Sequence, residues 1–217
     1  PVPLASSAPR ILLNDSSVLT TLQNALNTSS TPATRFRDMV LGEIASPGSR
    51  YGFQAYFAAL MYRLTGTASY GNYAVTKAMD FLAAEEALIN AGQRPTIAGD
   101  SYLEVGPFLG DLMLTYDWCY DLMDSSQRTR IINYANQTLF NVWNPDDATW
   151  GGVSYPWSGW SIDNPANNYY YSFLEATMLT GLATYGTNAQ ATAWLEKFYT
   201  DKIVGQLTPY FNAYLQG

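Results

Sequence analysis

Apolar side chains recur at helical spacing along almost the entire chain, and this periodicity constrains the fold more than any other feature. Eight stripes with a period of about 3.6 residues are separated by short polar or glycine-containing turns, and no segment shows a convincing strand period. Asn14-Asp15-Ser16 precedes the first stripe and is expected to cap it, Asp124 and Gln127 fit a capping box, and Gly66 and Gly92 follow the third and fourth stripes. The pattern predicts an all-α fold built of antiparallel helical hairpins. The predicted helices cover approximately residues 18–26, 34–44, 53–64, 70–90, 107–123, 125–139, 165–182 and 188–204.

One long segment, residues 143–163, breaks the helical pattern and is rich in Gly, Pro, Asp and Trp. Loops of this length inside a compact domain usually carry function or are disordered, and the Trp content favours a functional loop. Asn164 is predicted to cap the next helix, with Pro165 as its first residue. Aromatic rings stack on sugars, and Asn amides bind hydroxyls or carboxylates without adding charge. Two alternatives stay open for Trp157 and Trp160: sugar stacking, or plugging one end of the fold.

The composition bears on several classes of function. The chain contains no His, so any acid–base chemistry must use other side chains. A net charge of −7 argues against nucleic acid, and no apolar run approaches the ~20 residues of a membrane span. We expect neither a metal nor a cofactor, and we expect Cys119 to be a buried thiol. The high aromatic and low charged content, with glycosylation triplets at Asn14, Asn27 and Asn136, favours a secreted or periplasmic protein that acts on carbohydrate.

Three sequence motifs resemble a known enzyme family. They are Ala8-Pro-Arg-Ile-Leu-Leu, Thr115-Tyr116-Asp117-Trp118 followed by Tyr120-Asp121, and Asn167-Asn168-Tyr169-Tyr170-Tyr171-Ser172. Together they resemble the N-terminal α/α toroid of heparinase II/III-like and alginate-lyase-like polysaccharide lyases. The resemblance implies that residues 1–217 form a single domain, an incomplete α/α toroid of antiparallel helical hairpins. Because relatives continue to another catalytic Tyr and a β-sandwich, it also implies the N-terminal part of a longer protein.

The resemblance implies β-elimination on a uronate-containing glycan. In that family an Asn binds the uronate carboxylate, a Tyr or His removes the C5 proton, and a Tyr often acts as the acid. Carried over to this chain, Asn168 is the carboxylate ligand, with Asn167 as the alternative. Tyr169 stands where the family has His, and a Tyr with a pKa of about 10 is a poor base unless its phenolate is stabilised. Tyr171 shares a helix face with Asn167 and Asn168, so the predicted catalytic set is Asn168, Tyr169 and Tyr171.

The predicted substrate-binding residues surround this catalytic set, and the expected partner is an acidic or neutral polysaccharide. Trp157 and Trp160 supply aromatic surface, and Asn167 supplies a second amide. Asp100 and Glu104 are placed at a loop edge where they can bind sugar hydroxyls, with a solvated surface position as the alternative. Tyr116 is included through the family motif, although it also belongs to an apolar helix stripe and can be a core residue.

Two other classes of function remain open at the level of the sequence. An inverting glycoside hydrolase on a similar toroid needs two carboxylates about 6.5–9.5 Å apart. The available carboxylates are Asp100, Glu104, Asp111, Asp117 and Asp163. A non-catalytic glycan-binding module would use Trp157 and Trp160 without turnover. Lyase products carry a conjugated double bond that absorbs in the near ultraviolet, which separates the first class from the other two.

Overall fold

The computed structural model describes residues 4–216 and is mostly helical, which confirms the predicted all-α class. An 11-residue π-helical segment, Lys197–Leu207, joins the last two α-helices into one continuous rod. Short 3₁₀ segments cover Thr96–Tyr102, Tyr120–Leu122 and Pro145–Asp147. The α-helices of the described residues are α1 (Ser16–Asn27), α2 (Thr31–Ala45), α3 (Ala55–Thr65), α4 (Ala68–Asn90), α5 (Val105–Trp118), α6 (Ser125–Trp143), α7 (Asn168–Ala183), α8 (Ala191–Glu196) and α9 (Thr208–Gln216).

Several helix boundaries follow from the predicted capping residues. The Asp15 carboxylate accepts a hydrogen bond from the Ser17 backbone N–H at 2.8 Å and so caps α1. Asp124 and Gln127 form the predicted reciprocal capping box at the start of α6. Gly66 ends α3 with a φ of 72°, a conformation that costs glycine little.

Three helices, α3, α5 and α7, lie side by side in the same direction. Asp111 accepts a hydrogen bond from the backbone N–H of Ala55 at the start of α3. Later in the chain, Asp121 accepts a hydrogen bond from the Tyr62 hydroxyl near the end of α3. Later residues of α3 thus meet later residues of the α5 segment, so the two helices run in the same direction. Gly106 at the start of α5 likewise contacts the first turns of α7, where its N–H donates to Ser172 Oγ at 2.7 Å. These helices form the first layer.

The second layer consists of α4, α6 and the rod that begins with α8. Only Gly66 and Thr67 separate α3 from α4, so the two layers are connected by antiparallel hairpins. Tyr134 of α6 donates to Glu85 of α4 at 2.7 Å. Further along α6, Asn136 accepts a hydrogen bond from Trp194 of α8 at 2.8 Å. The aromatic and apolar core lies between the two layers.

Helix α5 is the centre of the first layer, since ten of its fourteen residues are buried. Gly106 and Gly110 lie one helical turn apart on the side that faces α7, and their missing side chains let α7 approach closely. Asp117 is fully buried and accepts hydrogen bonds from the backbone N–H groups of Arg10 and Ile11. The N-terminal segment is thereby tied to the far end of α5.

Two elements differ from the sequence-based expectation. Thr149–Trp150 and Val153–Ser154 form a small antiparallel hairpin, β1 and β2, in a region where no strand is predicted. Its strands are too short to show alternation, and the turn depends on Gly151 and Gly152, which both have positive φ. The predicted eighth helix also continues past Val204 to Gln216 through the π-helical segment. Within residues 4–216, no helix is long and apolar enough to cross a membrane.

Candidate functional site

The start of α7 lies three residues later than predicted, because Asn167 rather than Asn164 caps the helix. The Asn167 side-chain oxygen accepts the Tyr169 backbone N–H at 2.9 Å. Asn164 instead accepts the Ala166 N–H at 3.2 Å in a preceding turn. The prediction of Asn164 as the cap is therefore wrong, since a turn of this kind uses the same side-chain chemistry as a helix cap.

Asn168 is the first residue of α7 and is exposed to solvent. Its side-chain amide makes no hydrogen bond with any residue in the described part of the chain, unlike that of Asn167. The first turn of a helix presents unpaired backbone N–H groups and a partial positive charge, which favour an anion. Asn168 is thus a free amide in an environment suited to a carboxylate.

Tyr169 is held between a carboxylate and an indole ring. Its hydroxyl donates to Asp100 Oδ1 at 3.0 Å, and its ring centroid lies 4.9 Å from that of Trp160. The hydrogen bond to Asp100 raises the pKa of the Tyr169 phenol, with a smaller contribution from burial. The raised pKa disfavours the phenolate form, which opposes a role of Tyr169 as base.

Asp100 reaches Tyr169 from a strained turn. Asp100, Ser101 and Tyr102 have φ values of 42°, 53° and 63°, so three consecutive non-glycine residues adopt positive φ. Residues with this conformation cost free energy and are concentrated at functional sites. The turn projects from the 3₁₀ segment that precedes α5 and places the Asp100 carboxylate beside the first turn of α7.

The two loop tryptophans have different environments. Trp160 is 47% exposed beside Tyr169, so about half of its side chain remains accessible to a ligand. Trp157 packs against Tyr102 and Phe173, and its indole N–H donates to a main-chain carbonyl at 2.9 Å. Of the two alternatives for these residues, stacking fits Trp160 and plugging the end of the fold fits Trp157.

A buried lysine anchors the loop that carries Trp160. Lys202 projects from the π-helical segment and is 3% exposed. Its ammonium donates to the Ile162 carbonyl at 3.1 Å and to Asp163 at 2.6 Å. It also lies 4.8 Å from the centroid of the Trp143 ring. A buried charge with several partners fixes its surroundings strongly, so the C-terminal rod positions the tryptophan loop.

Tyr171 lies on the Asn168 side of α7 and is 41% exposed. Its hydroxyl donates to the Pro165 carbonyl at 2.9 Å and so stabilises the turn before α7. Unlike the Tyr169 hydroxyl, it does not donate to a carboxylate. Asp100, Trp160, Asn168, Tyr169 and Tyr171 surround the first turn of α7, and we call this surface the α7 entry.

Glu175, which sequence reasoning missed, extends the exposed stripe of α7. It lies four residues after Tyr171 and seven after Asn168, the spacing of one helix face. Its carboxylate lies over the glycines of α5, where a side chain at Gly106 would come within 2.7 Å of it. The carboxylate has no hydrogen-bond or ion-pair partner within residues 4–216, and partial burial raises its pKa. The i, i+3, i+7 spacing of Asn168, Tyr171 and Glu175 was the available signal.

Two predicted substrate contacts do not belong to this surface. Tyr116 has no exposed area, and its hydroxyl shares a hydrogen bond with Thr187 Oγ1 at 3.2 Å. We therefore assign Tyr116 to the core rather than to substrate contact, because its apolar helix stripe packs inward. Glu104 is exposed at the residue before α5, and its side chain makes no hydrogen bond with the described residues. It remains available to solvent but is not joined to the α7 entry by any contact.

The Cys119 thiol, the Asn136 amide and the metal-ligating side chains in the described part of the chain offer no further site. Burial raises the pKa of the Cys119 thiol to about 12, so Cys119 is a buried thiol as predicted. Asn136 exchanges hydrogen bonds with Asn188 and accepts one from Trp194, so the amide of this glycosylation triplet is engaged in the folded chain. Among the residues described, no group of three or more His, Cys, Asp or Glu side chains is arranged to hold a metal ion.

Comparison with known proteins adds no family to this geometry. No family model matches the chain, and neither a curated protein nor a solved structure shows significant similarity to it.

Proposed function

We propose that the protein is a polysaccharide lyase that cleaves a uronate-containing glycan by β-elimination at the α7 entry. The observation that carries this proposal is Asn168, an exposed amide without a partner among the described residues, on the first turn of a 16-residue helix. The amide and the partial positive charge of the helix both favour a uronate carboxylate. Trp160 offers an exposed indole beside it for a sugar ring.

The residues of the α7 entry divide the proposed reaction between them. Asn168 neutralises the carboxylate, which makes the proton on the neighbouring C5 more acidic. As a base removes that proton, the C4–O bond breaks, a C4=C5 double bond forms, and the leaving oxygen takes up a proton. Tyr169 is the candidate donor of this last proton, because its phenol is protonated and lies next to Asn168 in the α7 entry. Tyr171 is the other tyrosine of the α7 entry and is the candidate base, although its hydroxyl must first release the Pro165 carbonyl.

The architecture supports the proposal that the chain forms an incomplete α/α toroid. In such a ring, hairpins stand side by side, so that one helix of each hairpin belongs to an inner layer and the other to an outer layer. Here α3, α5 and α7 share one direction and one layer. Their hairpin partners α4, α6 and α8 form the other layer.

The direct test is product formation from a panel of unsulfated uronate polymers, such as alginate and hyaluronan. We expect near-ultraviolet absorbance to grow with time as chains shorten. Asn168→Ala should lose this signal while keeping the wild-type melting temperature. Chain shortening without the absorbance would exclude elimination, and glycan binding without shortening would identify a non-catalytic binding module.

A glycoside hydrolase is the second candidate function, and the environment of the Glu175 carboxyl favours it. An exposed carboxyl with a raised pKa and no partner in the described chain has the properties of a general acid. Of the carboxylates considered from the sequence, Asp111 and Asp117 are committed to backbone N–H groups and Asp163 to Lys202. New reducing ends without the near-ultraviolet absorbance, abolished by Glu175→Gln, would establish the hydrolase.

A further inference from the structure

A second cleft lies on the opposite side of α5 from α7. It has a volume of about 310 Å³ and opens between α4, the start of α5 and the residues that precede α3. Ligand sites typically have volumes of about 300–1,000 Å³, with mostly apolar walls and a few convergent polar groups. Six half-buried side chains supply the walls and polar groups used here: Phe53, Gln54, Lys77, Phe81, Phe108 and Asp111.

The walls of this cleft are aromatic. The rings of Phe81 and Phe108 are stacked almost in parallel, 5.4 Å apart with an interplanar angle of 6°. Phe53 lies across the cleft with the Lys77 ammonium 5.6 Å from its ring centroid. The faces of aromatic rings carry partial negative charge, so they attract the weakly positive C–H groups of a sugar ring. The walls therefore suit a pyranose ring, which has C–H groups on its faces and hydroxyls on its edge.

Some polar groups of this cleft have hydrogen-bond donors and acceptors without a partner among the described residues. Both carboxylate oxygens of Asp111 already accept backbone N–H groups at the start of α3, at 3.0 and 2.7 Å. Lys77 donates to Glu43 at 3.1 Å and has further N–H donors. The Gln54 side chain has no hydrogen-bond partner within residues 4–216 and does not cap α3. A ligand in the cleft would therefore meet the free donors of Lys77 and both functions of the Gln54 amide.

The charge balance favours an uncharged ligand. Burial alone would raise the pKa of Glu43, but hydrogen bonds from the Gly48 and Arg50 N–H groups, Lys77 and Tyr73 lower it to about 2. Glu43 is therefore ionised at neutral pH and compensates the charge of Lys77. Asp111 adds no positive charge in either protonation state. A second carboxylate would gain little attraction here, whereas sugar hydroxyls would find both donors and an acceptor.

We propose that this cleft is a glycan subsite for an uncharged pyranose ring, so that the substrate is a heteropolymer in which uronate residues adjoin neutral sugars. The inference rests on the proposed function, in which the α7 entry holds the uronate. Only the N-terminal half of α5 separates the two sites, because Gly106 faces α7 while Phe108 and Asp111 face the cleft. A helix is about 10–12 Å across, so one glycan chain can reach both.

The test compares two unsulfated polymers that both contain uronate. Hyaluronan oligosaccharides alternate uronate with a neutral sugar, and alginate oligosaccharides contain uronate alone. Calorimetric titration should show that Gln54→Ala weakens hyaluronan binding by roughly three- to tenfold, the effect of one hydrogen bond. Alginate binding should be unchanged. Because the Gln54 side chain makes no hydrogen bond with the described residues, the melting temperature should also stay the same.

Gln190→Ala is the matched control, since Gln190 is exposed in a groove of the second layer and its side chain likewise has no hydrogen-bond partner in the described structure. Gln54→Trp adds a second measurement, because a bulky ring should fill the cleft and weaken hyaluronan binding while alginate binding stays unchanged. If both Gln54 variants bind both polymers like the control, the cleft is not a subsite and the α7 entry proposal stands. If the wild-type protein binds neither polymer, the proposed function fails and this inference fails with it.

Discussion

Asn167 and Asn168 are adjacent residues with identical side chains in different environments. The Asn167 amide oxygen is committed to capping α7, whereas the Asn168 amide is exposed and free of partners within the described chain. One residue therefore carries helix stability, and the other is available for a ligand. This difference allows structure and function to be separated by substitution at two neighbouring positions.

We predict that Asn168→Ala lowers turnover on a uronate glycan by about 2.7–4 kcal/mol of transition-state free energy, the typical loss for one preorganised donor. The melting temperature should not change. Asn167→Ala should do the reverse and destabilise the fold by about 0.5–2 kcal/mol, because a helix cap is lost. Rates per folded molecule and thermal unfolding, measured on both variants, test the assignment. A stability loss confined to Asn168→Ala would contradict it.

The pairing of Tyr169 with Asp100 makes a second prediction at this scale. Asp100→Asn removes the negative charge that accepts the phenol proton, so the pKa of Tyr169 should fall towards its ordinary value. Ultraviolet titration of each background, with and without Tyr169→Phe, isolates the titration of this single phenol among the 17 tyrosines. If the Tyr169 titration curve is the same in the wild-type and Asp100→Asn proteins, Asp100 does not control the pKa of this phenol.

The sequence indicates only part of this site. The aromatic and amide content of residues 157–172 points to the α7 entry, and helical spacing places Tyr171 with Asn168. Glu175 and Asp100 acquire their roles from other segments, namely the glycines of α5 and the first turn of α7. Such pairings depend on tertiary packing, which a local pattern cannot report.

At the scale of the elements, local chemistry predicted most helices because each apolar stripe agreed with its caps. Asp124 with Gln127 and Gly66 are the clearest cases. The start of α7 was misplaced because Asn164 and Asn167 compete for the same role, and only the folded geometry selects between them. The hairpin of β1 and β2 was missed because each strand has two residues, too few for a period.

The packing of α5 against α7 depends on the absence of a side chain at Gly106. A Cβ there would lie 2.9 Å from the Ser172 carbonyl oxygen, a backbone atom that cannot move alone. We predict that Gly106→Ala destabilises the protein by about 1–3 kcal/mol, the usual cost of overpacking. Urea unfolding monitored by circular dichroism provides the measurement.

Gly99→Ala is the matched control for this substitution. A Cβ added at Gly99 would meet no other atom within 4 Å, and its φ is −63°, so alanine fits without strain. It should leave stability unchanged or raise it slightly, because the unfolded chain loses entropy. Equal destabilisation by both substitutions would show that the close approach of α7 is not the cause.

At the scale of the whole molecule, α5 and α7 run in the same direction and begin at the same end. Their partial positive charges therefore accumulate where the α7 entry and the second cleft lie. The side chains have the opposite character, since the molecule carries a net charge of −7 and Asp100, Glu104 and Glu175 lie on these helices or next to them. An anionic glycan would thus be repelled at long range and attracted at contact.

Dissolved salt acts differently on these two contributions. The Debye length falls from about 30 Å at 0.01 M ionic strength to about 8 Å at 0.15 M, so added salt removes the long-range repulsion first. We predict that affinity for a uronate oligosaccharide rises over this range, as measured by calorimetric titration, while affinity for a neutral oligosaccharide stays constant. A steady fall with salt would instead indicate recognition by basic side chains. If affinity rises with salt as predicted, the shared direction of α5 and α7 gives this acidic protein a salt response opposite to that of most polyanion-binding proteins.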